Sequence, residues 1–74
     1  MAAKAIIEAV TARGYIITGD TGNALLAQSP EGSSVRLVTD ITFNQPGAVK
    51  VLVINDASDS IIEQITVSKN VIRG

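Results

Sequence analysis

Val35, Leu37, Thr39, Ile41 and Phe43 alternate with Arg36, Val38, Asp40 and Thr42, and the run stops at Asn44-Gln45-Pro46-Gly47. Strict period-two alternation places one set of side chains on a single face of a strand. Pro-Gly inside a turn is the type II arrangement, because glycine supplies the positive φ. A second β-prone run, Ala48 to Ile54, follows at once. Strand, reversal and strand commit the middle of the chain to an antiparallel hairpin. The second run differs from the first. It is apolar on both faces except at Lys50, the pattern of a central strand or of one covered on both sides.

The N-terminal stretch has another period. Ala3, Ile6, Ile7 and Val10 fall at i, i+3, i+4 and i+7, which is one face of a helix. Lys4, Glu8 and Thr11 lie on the other side. Arg13 suits the negative end of the helix dipole, and Gly14 is placed to end the helix in the left-handed conformation. The spacing predicts a helix over residues 3–13.

Between these regions, Tyr15 to Thr18 reads as a strand, Gly19-Asp20-Thr21-Gly22 breaks it, and Asn23 to Gln28 returns as the second arm of a short hairpin. Ser29-Pro30-Glu31-Gly32 fits a type I turn. Asn55 to Ser60 is a polar loop. The tail is ambiguous. Ser60 and Glu63 have capping-box spacing, which favours a helix start. Ile61, Ile62, Ile65, Thr66, Val67, Val71 and Ile72 are all β-branched, which favours a strand over 61–67.

The expected fold class is α+β, with residues 1–74 as one small domain. The N-terminal helix packs on a four- or five-stranded antiparallel sheet, mostly a meander, since sequential strands usually pair. The alternative makes residues 60–70 helical and gives an α-β-β-β-α order.

The chain has 74 residues with no His, no Cys and no Trp. Disulfides and His- or Cys-based metal sites are therefore excluded as staples, and stability must come from aliphatic packing or a partner chain. Tyr15 and Phe43 are the only aromatics and read as core residues. Six basic and seven acidic residues are interspersed, giving a net charge of −1. That balance lacks the basic excess of a nucleic-acid binder. Apolar runs as short as Val51 to Ile54 cannot span a membrane. Lys4 and Glu8 interrupt the N-terminal apolar residues, so no signal-peptide core is present, and a soluble, cytoplasmic protein is expected.

Few residues carry a chemical motif. Asp20-Thr21-Gly22 after a β-prone run resembles the signature of aspartic proteases. There the Asp shares a proton with a second Asp, which a homodimer can supply. Gly19 stands where that family has an apolar residue, and Asp, Thr and Gly are ordinary turn formers. Gly19 to Asn23 matches neither phosphate-loop glycine spacing, and a strand follows it rather than a helix. Asp56, Asp59 and Glu63 form the one cluster of carboxylates, without the ligand ladder of an EF-hand. A solvated acidic loop explains them. Lys4, Arg13, Arg36, Lys50, Lys69 and Arg73 are dispersed, and Lys50 reads as a guard against unwanted pairing of its strand. Serines and threonines have no His base and no suitable Lys.

No catalytic, cofactor-binding or metal-binding residue is assigned. The expected function is a non-catalytic protein-interaction or assembly module, with a protein partner or a second copy of itself meeting the sheet edges. A small nucleic-acid-binding domain is the alternative, and a dimeric aspartic-type hydrolase using Asp20 is the remote one.

Overall fold

The computed structural model describes residues 4–40, 42 and 46–68. Five antiparallel strands follow one helix: α1 (Lys4–Ala12), β1 (Ile16–Asp20), β2 (Leu25–Gln28), β3 (Ser34–Thr39), β4 (Ala48–Asn55) and β5 (Ser60–Ser68). The strands lie in the order β1-β2-β3-β4-β5, a pure meander. This is the expected α+β arrangement.

The helix ends as the sequence predicts. Gly14 has φ 93°, the Tyr15 N–H donates to the Val10 carbonyl and the Gly14 N–H to the Thr11 carbonyl. These two bonds are the Schellman closure, and Tyr15 and Val10 both lie in the core, supplying its usual apolar contact. The chain turns straight from helix into β1. Ala3 lies outside the described residues.

Each later reversal has its own local cause. Gly32 N–H donates to the Ser29 carbonyl, closing the turn that Pro30 starts, and the buried Ser29 hydroxyl accepts from Ser33 N–H. Gly47 has φ 80°, as the type II reading with Pro46-Gly47 at the central positions requires; Asn44 and Gln45, with Ile41 and Phe43, are outside the described residues. Asn55 Oδ1 accepts from Ala57 and Ser58 N–H and shapes the β4–β5 turn.

The helical alternative for residues 60–70 is overturned, because 60–68 are strand; 69 and 70 are outside the described residues. The β-branched residues prevail there, and Glu63 holds Arg13 and Tyr15. β5 starts one residue before the expected 61 and ends one after 67.

One face of the sheet holds the core. Leu25 and Ala27 of β2, Val35 and Leu37 of β3, Val51 and Val53 of β4, and Ile65 and Val67 of β5 are buried against Ala5, Ile6 and Val10 of the helix. Val10, Val35, Leu37, Val51 and Val53 are fully shielded at 0% exposure. The helix makes its main strand contacts with β1 and β5, the two edges. The sheet therefore curls until both of its edges reach the helix. Among the described residues no helix is long and apolar enough to cross a membrane.

Candidate functional site

The face turned away from the helix has unusual chemistry for a solvated surface. Cross-strand pairing places Leu26 beside Arg36, Arg36 beside Ile54, and Ile54 beside Ile61. One step along, Val38 pairs with Leu52 and Leu52 with Gln64. Leu26, Val38, Leu52 and Ile54 are half-buried. Ile61 is 52% exposed, and Ile16, on the same side of β1, is 61% exposed. An antiparallel sheet with one wet face ordinarily alternates apolar and polar residues. β4 does not: Val49, Val51 and Val53 face the core while Leu52 and Ile54 face out.

Charges rim this apolar band. Arg36 stands within it, and its Nη2 pairs with Asp59. Its buried Nε lies 3.0 Å from Asp56 Oδ1. That contact is off the line of a hydrogen bond, so charge holds it. Asp59 reaches this position with φ 57°, a left-handed conformation that Asp tolerates better than most residues. At the other end of the band, Lys50 lies beside Thr66.

A second polar cluster lies on the core side. Tyr15 is 5% exposed, and its hydroxyl donates to Glu63 Oε1 at 2.6 Å. Arg13 Nη1 donates to Glu63 Oε2 at 2.7 Å. Burial first, then the hydrogen bond to Glu63 and its negative charge, push the Tyr15 phenol up to about 12. Arg13 and Tyr15 lead into β1 and Glu63 belongs to β5, so these two bonds tie together opposite edges of one sheet.

The residues singled out in the sequence distribute as follows. Asp20 ends β1, and its Oδ1 accepts from Gly22 N–H at 2.8 Å. Thr21 N–H donates to the Ala24 carbonyl, and Gly22 has φ 89°. This is an Asx turn closing a hairpin. The carboxylates of Asp56, Asp59 and Glu63 are divided between the two faces. The first two rim the outer band, and the third holds the clasp below. Among the described residues no group of three His, Cys, Asp or Glu side chains could hold a metal ion. Of the six cations, Lys4 and Arg13 sit on and just after the helix, Arg36 and Lys50 share the outer face, and Lys69 and Arg73 are outside the described residues.

Two features escaped the sequence reading. The Tyr15–Glu63–Arg13 clasp has a signal in the strand period, since Glu63 shares the parity of the buried Ile65 and Val67. A carboxylate on a core-facing row needs a donor, and Tyr15 is the sole phenol. The outer band is signalled by the apolar residues on both sides of β4. No protein-family model, no curated protein and no solved structure matches the chain.

Proposed function

We propose that this protein is a non-catalytic interaction module, and that it docks a protein through the outer face of its sheet. The observation carrying this reading is β4. Its sequence is that of a central strand or of one covered on both faces, yet among the described residues the helix and core cover only its inner face. Apolar side chains gathered on one face and rimmed by charge are the usual composition of a protein contact.

The geometry favours the face over the edges. β1 is interrupted by a bulge between Ile17 and Gly19, and β5 by one where Val53 and Ile54 of β4 pair with Glu63 and Ile61. Bulges and charged residues on the core row are devices that blunt an edge against pairing with another chain. Both edges also curl to the helix. β2, β3 and β4 pair in unbroken register, and Leu26, Val38, Leu52 and Ile54 of the apolar band lie on these strands.

A photo-reactive amino acid at Gln64, on the outer face, tests the reading against one at Glu8, on the exposed side of the helix. Cross-linking in the native cell is expected to give a discrete protein adduct from Gln64 and none from Glu8. The adduct should disappear when Leu52→Asp is added. Equal yields from both positions, or an adduct indifferent to Leu52→Asp, would overturn the assignment.

A further inference from the structure

We infer that the occupant of the outer face is a second copy of this chain, packed antiparallel along β4. This rests on the reading of that face as a docking surface and names its partner. The residues pointing out along β4 and its exit are Lys50, Leu52, Ile54 and Asp56. A cation begins the row, two aliphatic side chains fill it, and an anion ends it. A twofold axis crossing the strand at the level of Val53 lays Lys50 over Asp56 of the second copy. The same operation lays Leu52 over its Ile54. Both contacts along β4 are made twice, and each opposes plus to minus or apolar to apolar. An isologous dimer requires such self-complementarity.

The flanks of this row are mixed. Asp56 and Asp59 outnumber Arg36 at the receiving end, which keeps a net negative charge. The same axis lays Val38 over Arg36 of the second copy and Ile61 over its Gln64, so the strict matching is confined to β4, and the arginine meets Val38 through its aliphatic stem. Sheets packed face to face keep their strands within about 30° of one another, which an antiparallel β4 pair satisfies.

The size of the contact sets its strength. At about 3.3 Å per residue, Lys50 to Asp56 covers ~20 Å, and four strands ~4.8 Å apart cover ~15 Å. That footprint is roughly 300 Å² per copy, well below the ~800 Å² per partner of a standard stable interface. The dimer is therefore weak, and its charged ends set its register.

Sedimentation velocity from about 5 µM to about 1 mM on the full chain tests this. Expected is a concentration-dependent monomer–dimer equilibrium that weakens as salt rises. Lys50→Glu and Asp56→Lys should each reduce association about tenfold or more, because each sets like charges against one another. An equimolar mixture of the two variants should recover association, since the mixed dimer restores opposite charges at both ends. Circular dichroism and melting of each variant confirm that it is folded; if either is not, the salt dependence of the native chain decides. A native chain that stays monomeric near 1 mM would overturn the inference. So would a dimer that ignores both variants, one strengthened by salt, or variants whose mixture recovers nothing. The Gln64 cross-link separates the two levels of the reading. An adduct with a different protein alongside a monomeric chain keeps the docking face and rejects the second copy. No adduct of any kind, the chain itself included, rejects both.

Discussion

The two faces of this sheet are built from the same residue types and have opposite fates. On the inner face, Val35, Leu37, Val51 and Val53 lose all contact with solvent against the helix. On the outer face, Leu26, Val38, Leu52 and Ile54 come from the same strands and remain half-exposed. Composition alone cannot tell these sets apart. Their difference lies in α1, the one helix among the described residues, which can cover one side only. Stability resides on the inner side, and the outer side is the one proposed to carry contacts with other molecules.

The sharpest way to break the comparison is to cut equal side chains from each face. Leu37→Ala is expected to cost roughly 2–5 kcal/mol, because it opens a cavity in a sealed layer. A chain of this length is expected to have about 5 kcal/mol or more in total, so urea unfolding should show a large loss of midpoint or no folded baseline. Equal losses for Leu37→Ala and Leu52→Ala would show that the outer face is covered too.

The clasp ranks next. Glu63→Ala leaves the buried Tyr15 hydroxyl without its acceptor and frees Arg13, and is expected to cost about 1–3 kcal/mol. Tyr15→Phe, which removes donor and hydroxyl together, should cost less, near 1 kcal/mol. A ranking reversed in thermal melts would show that the Tyr15 hydroxyl stabilises the fold through a partner other than Glu63.

Alkaline pH probes the same bond without mutation. The Tyr15 phenol is pushed up to about 12 in the folded chain and titrates near 10 when unfolded. Its raised value means the folded state holds the proton more tightly. The resulting stability is fully present below pH 10 and is lost as pH rises from 10 towards 12. The loss is on the order of 2 kcal/mol. Tyr15→Phe should remove that slope from a pH series of urea melts, and an unchanged slope would assign it to another group.

The smallest stability effect is expected on the outer face, where Leu52→Ala should cost about 1 kcal/mol, since Leu52 is only partly buried and its removal opens no sealed cavity. Its larger effect should appear in association, as a weaker dimer by sedimentation with a melt shifted far less than that of Leu37→Ala. A large stability loss without a change in association would place Leu52 functionally in the core.

Most of the fold is legible in the residues because its signals are local. Helix period, Gly14, Pro30-Glu31-Gly32, Gly47 and the alternation along Val35 to Thr39 each specify their own segment, and a meander needs only neighbours to pair. The tail was ambiguous because the Ser60/Glu63 spacing and the β-branched residues gave opposite local answers. Tertiary contacts broke the tie by giving Glu63 partners nearly fifty positions earlier. The candidate site was less legible. Sheet edges were expected to carry contacts, and the bulges that blunt them leave no clear mark in the sequence. The apolar outer row of β4 was visible as a pattern, but whether anything covers it depends on how many helices the chain supplies and where they lie.

The clasp also bears on the order of events in folding. Every strand pairs with its sequence neighbour, so the meander can assemble from hairpins whose loops are short and whose closure costs little entropy. Glu63 meets Tyr15 and Arg13 across 48 and 50 residues, a long closure for side-chain bonds. Such a contact pays its entropy only once the sheet has curled, and so it belongs after the rate-limiting barrier. Glu63→Gln should then speed unfolding in stopped-flow while leaving the refolding rate nearly unchanged. A slowed refolding arm would place the seam in the nucleus instead. The lifetime of the folded state would thus be governed by two bonds at the seam, and the speed of reaching it by the turns.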